Sequence, residues 1–254
     1  MNIAVLLNMV PDLVEELEID ASGTALDTQW LRYVVSESDE HALEQALVLK
    51  DRHGTKVTVL ALDYGEVDET LFSALAKGAD EAIKLTGLDG PRGKPAAATA
   101  FAEALAALAP DLVLTGVFAI DDLDGHLAGL LAGRMGWPFV GVTRSVELAN
   151  GRITVQKEYP GGLAAEIEVE LPAVIGVLSA PQPPRYVPVA RIRETRKTRT
   201  LAERSVAAAL PVPTLTVRRL YKPEPAERAQ MLTGAPEDVA GQIVTILADR
   251  GLVR

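Results

Sequence analysis

Cysteine is absent from the 254 residues, which excludes a disulfide framework, a thiolate nucleophile and any Cys-ligated zinc or iron–sulfur cluster. Histidine is scarce: His41, His53 and His126 are scattered along the chain, so no metal site is expected. Aromatic residues make up 4% of the chain, leaving few rings to stack on nucleobases. Thirty-five acids against 25 bases give a net charge of −10, a field that repels a phosphate backbone. Nucleic acid is therefore not an expected partner. No apolar run approaches the length of a membrane span, and no basic leader with a small-residue cleavage site opens the chain. The expectation is a cytoplasmic protein without membrane insertion. Also missing are a Gly-x-Gly-x-x-Gly after the first strand, a Gly-Lys-Ser/Thr loop, a Gly-x-Ser-x-Gly elbow and a His-Glu-x-x-His helix. No catalytic residue is nominated.

What is present has the balance of a soluble globular protein, 48% hydrophobic and 24% charged. Residues 2–8 form a continuous apolar run stopped by Val10-Pro11-Asp12, the pattern of a strand buried on both faces. Residues 17–27 suggest a hairpin-like excursion. A helix follows with Ser38 as N-cap and Asp39 and Glu40 in its first turn, and it ends at Gly54. It places Ala42, Leu43, Ala46, Leu47 and Leu49 on one face. Strands at 56–62, 81–85 and 111–115 alternate with helices at 68–77, 95–108 and 125–136, the last closed by Trp137-Pro138. That alternation predicts an α/β fold with a doubly wound, mostly parallel sheet. Residues 143–148, 152–158, 165–171 and 173–178 read as successive strands with turns at Asn150-Gly151 and Gly161-Gly162, an antiparallel annex. Near Ala180 the texture changes. Pro181, Pro183, Pro184 and Pro188 crowd together, and residues 185–204 hold seven bases against two acids. The expected division is an α/β domain at 1–180 and a C-terminal arm at 181–254.

In such a sheet, ligands sit beyond the carboxyl ends of the strands, so the informative segments follow Asn8, Leu62 and Thr115. In Gly116-Val117-Phe118-Ala119-Ile120-Asp121-Asp122-Leu123-Asp124-Gly125, glycines would let backbone amides approach a phosphate at a helix start. The same aspartates equally suit a plain helix N-terminus, favoured by the macrodipole. Spacing leaves both readings open. The basic cluster at 185–204 suits a solvated face or a docking strip for an acidic partner; the first 50 residues, with ten acids and two bases, carry the opposite asymmetry.

Several separated motifs together resemble the β subunit of electron transfer flavoproteins, across nearly the whole chain. They are the opening strand from Ile3 to its Val10-Pro11-Asp12 turn, the helix run Asp39-Glu40-His41-Ala42-Leu43-Glu44, and Ala74-Leu75-Ala76-Lys77-Gly78-Ala79-Asp80. Asp111-Leu112-Val113-Leu114-Thr115-Gly116 with Ala119-Ile120-Asp121-Asp122 follows, then Gly161-Gly162-Leu163, Leu171-Pro172-Ala173-Val174 and Pro184-Arg185-Tyr186. The resemblance implies a Rossmann-like adenine-nucleotide-binding domain with no catalysis of its own. It implies a heterodimer with an α subunit that holds most of an FAD, this chain supplying one wall of the flavin site and binding AMP or, in bifurcating members, a second FAD. Implied partners are acyl-CoA or related dehydrogenases as donors and a quinone oxidoreductase or other acceptor downstream. Carried over by position, nucleotide contacts fall at Leu6, Asn8, Ser36, Glu37, Ser38, Asp39 and Leu62, and along Gly116, Val117, Phe118, Ala119, Ile120, Asp121, Asp122, Leu123, Asp124, Gly125, His126 and Leu127. Docking contacts fall at Pro184, Arg185, Tyr186, Val189 and Ile192. The chain departs from the family pattern at Asn8, often Lys, at Ser36-Glu37-Ser38, often Asn-Pro-Phe, and at Asp124-Gly125-His126. Two other classes fit the residues less well: a stand-alone adenine-nucleotide sensor, and a nucleotide-cleaving enzyme of related fold.

Overall fold

The computed structural model describes residues 1–88, 93–122, 125–149, 151–206, 217–224, 229 and 231–253. The chain divides into two compact units, Met1–Arg219 and Leu220–Arg254. In the first, β1 (Asn2–Leu7) runs into β2 (Met9–Pro11), which pairs antiparallel with β3 (Tyr33–Val35). Between them, residues 17–27 form the expected excursion, held by one antiparallel bridge, Ile19 to Leu26. Then come α1 (Glu37–His53), β4 (Lys56–Leu62), α2 (Val67–Lys77), β5 (Glu81–Thr86), α3 (Lys94–Leu108), β6 (Leu112–Gly116) and α4 (Leu127–Met135). The segment β7 (Phe139–Ala149), β8 (Arg152–Tyr159), β9 (Leu163–Val169) and β10 (Ala173–Val177) precedes α5 (Val189–Thr198) and β11 (Ala202–Ser205).

One sheet of nine strands results, in the order β11-β5-β4-β1-β6-β10-β7-β8-β9. From β11 to β7 every pairing is parallel; β7, β8 and β9 pair antiparallel. The doubly wound expectation holds. The periodicity of β1 shows why both faces need helices: Ile3, Val5 and Leu7 pack with Leu43 and Leu47 of α1 and Leu71 of α2. Ala4 and Leu6 pack on the other side with Phe101 and Leu105 of α3 and Leu131 of α4. Strands covered twice read as unbroken apolar runs.

Three expectations are corrected in detail. The fourth strand of the annex, β10, inserts parallel between β6 and β7; all five of its residues, AVIGV, are buried, the pattern of a central strand and unlike the alternation along β8. The segment from Pro184 to Ile192 is not all loop, because α5 begins at Val189. Beyond it, residues 202–205 add the edge strand β11 beside β5. Strand-forming signal is weak in Ala-Glu-Arg-Ser, and the pairing is supported by Lys84, which bridges Asp68 and Glu203 at 3.1 Å each.

In the second unit, α6 (Pro236–Asp249) matches the expected amphipathic segment. None of its residues is buried, and Ile243 and Val244 are exposed.

Candidate functional site

The ligand crevice of a doubly wound sheet lies beyond the carboxyl ends of the two strands where the order reverses, here β1 and β6. Parallel pairing of Ile3 with Leu112 and Val5 with Leu114 sets those ends side by side. The first turn of α1 closes over the gap. Asp39, 1% exposed, places its carboxylate between the strand ends. One oxygen accepts the Asn8 backbone N–H at 2.9 Å and the Asn8 side-chain amide at 3.0 Å. The other accepts the Gly116 N–H at 2.5 Å and the Thr115 hydroxyl at 3.2 Å. Burial pushes the Asp39 carboxyl above its ordinary range; the donors at Gly116 and Asn8 and the charge of Lys94 oppose that without cancelling it. The floor of the crevice is thus an internal acid that already satisfies both strand-end amides.

Gly116 is what lets α1 come so close. A Cβ there would overlap Ser38 Oγ and stand 2.8 Å from both the amide nitrogen and Oδ1 of Asp39.

Ser38 does not cap α1. The cap position is Ser36, in extended conformation, and no side-chain cap bond forms. Ser38 Oγ instead donates to the Phe118 carbonyl at 2.5 Å, with Ser36 Oγ 3.4 Å from the same oxygen. A local cap was the sequence expectation; a long-range acceptor, invisible in the local pattern, won. Ser38→Ala is expected to cost about 1 kcal/mol, the worth of one partly buried hydrogen bond. Urea unfolding would read this as a lowered midpoint with unchanged slope, and an unmoved midpoint would mean the bond holds nothing.

The loop after β6 carries most of the other nominated residues. Val117 continues the sheet, its N–H donating to the Val177 carbonyl at 3.0 Å. Phe118 and Ile120 are 53% and 52% exposed, whereas Ala119 is buried. Asp121 Oδ1 meets Lys94 Nζ at 3.1 Å, and the Asp122 N–H closes a turn on the Ala119 carbonyl at 2.9 Å. Leu123 and Asp124 lie outside the described residues. Gly125 has φ +62°, and a Cβ there would stand 2.5 Å from the Val117 carbonyl oxygen. His126 is exposed and precedes α4, whose first residue, Leu127, is buried and whose first turn contains no acid. Glu37 is exposed on the outside of α1. The side chains of Leu6 and Leu62 are buried among α3 and α4 residues, so main-chain atoms are what those two positions have to offer a ligand.

The structure adds three residues to this edge. Tyr64, two positions beyond β4, donates its hydroxyl to the Met9 carbonyl at 2.6 Å, and burial pushes that hydroxyl well above its usual titration range. Tyr33 meets it edge-to-face at 5.6 Å between ring centres. Lys94 opens α3. It is not among the residues nominated from the sequence, where the one hint is a cation directly ahead of Pro95, at the helix end where the macrodipole disfavours positive charge.

The residues nominated for docking are stitched to the same helix. Arg185 forms a forked pair with Glu44, Nε to Oε2 at 3.0 Å and a terminal nitrogen to Oε1 at 3.0 Å, and its backbone N–H donates to Oε2 at 2.9 Å. Gln182 donates to Oε1 at 2.6 Å and the Ala180 N–H to His41 Nδ1 at 3.2 Å. Beside this clamp Tyr186 is 84% and Val189 58% exposed, while Ile192 packs on the α1–α2 core. Pro184 is half-buried. From α5, Arg196 lies over the ring of Phe72 at 5.6 Å.

Among the described residues there is no group of three or more His, Asp or Glu that could hold a metal ion, and no helix is long and apolar enough to cross a membrane.

Comparison with known proteins gives a consistent picture. The family described as electron transfer flavoprotein domain matches residues 24–216. The electron transfer flavoprotein subunit beta of Methylophilus methylotrophus is 29% identical over 261 residues, covering 97% of this chain and 98% of that one. Its counterpart in Clostridium acetobutylicum is 33% identical over 193 residues, covering 76% and 74%. Subunit CarD of the caffeyl-CoA reductase–Etf complex of Acetobacterium woodii is 28% identical over the full length of both chains.

Proposed function

The chain belongs to the electron transfer flavoprotein family, as a β subunit, and from that premise we propose that it binds an adenine nucleotide at the β1/β6 crevice and completes the flavin site of an α subunit. The observation that carries this reading is the loop from Gly116 to His126. It joins the switch-point strand to the start of α4, turns on a positive-φ glycine, and meets a helix end without acids in its first turn. Phosphate suits that helix end; it does not suit the strand-end amides, which Asp39 occupies. Asn8, Ser36, Ser38 and Asp39 then act by shaping the crevice, because their polar atoms are engaged with one another and with Thr115, Gly116 and Phe118. Leu123 and Asp124 complete the proposed loop contact.

FAD shared with the α subunit would supply the redox chemistry. This chain's contribution is to wall the flavin, hold the nucleotide and present a docking surface to a dehydrogenase, acyl-CoA dehydrogenases being the class the family resemblance suggests. Exposed Phe118 and Ile120 on the loop, and the uncovered apolar residues of α6 in the second unit, suit burial against the α subunit. The segment at 184–192, with Tyr186 and Val189 exposed and a basic helix behind them, suits a dehydrogenase with an acidic rim. A quinone oxidoreductase or similar acceptor would take the electrons onward.

A second FAD in place of AMP is the other reading of the same crevice, since AMP and the ADP half of FAD ask for nearly the same groups. The full-length likeness to a subunit of a reductase–Etf complex favours keeping it. Co-expression with the α subunit, followed by acid extraction and counting of FAD and AMP, tests both. A yellow heterodimer with FAD and AMP in equal amounts is expected, and FAD alone at twice that amount would assign the bifurcating type. A heterodimer with only the shared FAD would overturn the nucleotide site.

A further inference from the structure

An adenine nucleotide brings at least one phosphate to a crevice that is already acidic. Asp39 forms its floor, Asp121 its rim, and Asp122 sits beside it. The strand-end amides of Asn8 and Gly116 are taken by Asp39, and the hydroxyls of Ser36 and Ser38 face the Phe118 carbonyl. Asn8 is itself neutral, and its side-chain amide is spent on Asp39. Even with the α4 helix end favouring it, a phosphate beside these carboxylates calls for a cation from elsewhere in the fold.

Lys94 meets that requirement. It is the first residue of α3 and reaches the loop after β6, where its ammonium lies 3.1 Å from Asp121 Oδ1. Its side chain is 14% exposed, so the ammonium is held in place. Two features mark it as more than a surface charge. A cation at a helix N-terminus opposes the macrodipole, by about 0.3–1 kcal/mol when exposed, and α3 has no acid in its own first turn to compensate. Its field also reaches the buried Asp39 at the crevice floor. Lys94 thus stands at the rim, its charge felt at the floor, tied to a carboxylate that a phosphate oxygen can replace.

We infer that Lys94 is the residue that recognises the phosphate of the bound adenine nucleotide, releasing Asp121 as the ligand enters. The inference rests on the nucleotide reading above and adds a specificity-determining residue to it. It predicts discrimination between AMP and adenosine, which a merely structural Lys94–Asp121 pair would not provide.

The test uses the heterodimer, stripped of its adenine nucleotide and titrated calorimetrically with AMP and with adenosine. Lys94→Gln is expected to weaken AMP about tenfold to a hundredfold, the range for one charge-assisted hydrogen bond, and to leave adenosine unchanged. Lys94→Arg should retain most of the AMP affinity. Asp121→Asn, which keeps Lys94 and removes its competitor, should tighten AMP and covers the case in which Lys94→Gln fails to fold. Equal AMP affinity in wild type and Lys94→Gln, or AMP weakened by Asp121→Asn, overturns the assignment while leaving the nucleotide site standing. A wild-type heterodimer that binds neither AMP nor adenosine sinks both.

Discussion

Replacing Gly116 with alanine is expected to lower stability by about 3 kcal/mol and, on the function proposed above, to abolish adenine-nucleotide binding by the heterodimer. The added methyl would meet the first turn of α1, overlapping Ser38 Oγ and crowding both the backbone nitrogen and the carboxylate of Asp39. None of these atoms is the free end of a long side chain. Asp39 is fixed by four donors and Ser38 by the Phe118 carbonyl, so relief requires α1 to move away from β6. Overpacking of a well-filled site costs about 1–3 kcal/mol, and the upper end applies because the Gly116–Asp39 bond is lost with the movement. Thermal unfolding and nucleotide extraction should change together. A Gly116→Ala subunit of wild-type stability that retained its nucleotide would show that α1 is not held at the crevice by this contact.

That contact also marks the limit of what the sequence discloses. The strands and helices that build the sheet announce themselves through unbroken apolar runs and closing glycines, because burial on two faces leaves a composition that survives without knowledge of the partner strands. Residues 56–62 and 67–77 are cases where pattern and structure nearly coincide. The placement of β10 was less legible, since a short apolar strand after a proline looks alike whether it ends a meander or enters the centre of a sheet. At the crevice the pattern nominates a loop that the fold sets at the switch point, but not the hydrogen bonds its residues make. Asp39 reads as a first-turn acid favoured by the macrodipole, yet its carboxylate serves strand ends 31 and 77 residues away in sequence. Ser38 reads as a cap and instead bonds across 80 residues. Lys94 and Tyr64 carry no motif, and only the fold brings them to the edge. Long-range hydrogen bonds leave no periodicity, so chemistry carried by them has to be read from coordinates.

Arg185→Ala is the second large effect, expected to cost about 3 kcal/mol near neutral pH. Glu44, its partner, has a side chain only 1% exposed. Removing one member of a buried pair leaves the other charge uncompensated, at about 3–5 kcal/mol, and the lower end applies because Arg185 is itself 28% exposed. The contact of Arg185 with Asp51, which is 62% exposed, adds little. The pH dependence separates this account from simple loss of packing. In the wild type, burial alone would raise the Glu44 carboxyl, but the Arg185 and Gln182 hydrogen bonds outweigh it and hold the group below its ordinary value. The wild-type contribution is therefore present above the unfolded value of about 4.3 and is lost as pH falls through the lowered folded one. Without the Arg185 guanidinium, burial is opposed only by the residue-185 N–H and Gln182, so the ionised form of Glu44 is less favoured in the fold and acidification costs the variant less than the wild type. The gap between wild type and Arg185→Ala should shrink steadily from neutral pH toward pH about 4. Glu44→Gln combined with Arg185→Ala should recover part of the loss, because no buried charge is left unpaired. A stability gap that stays constant with pH, unaffected by Glu44→Gln, would mean that the forked pair does not hold residues 180–188 against α1, and that Tyr186 and Val189 owe their presentation to backbone stiffness from the surrounding prolines.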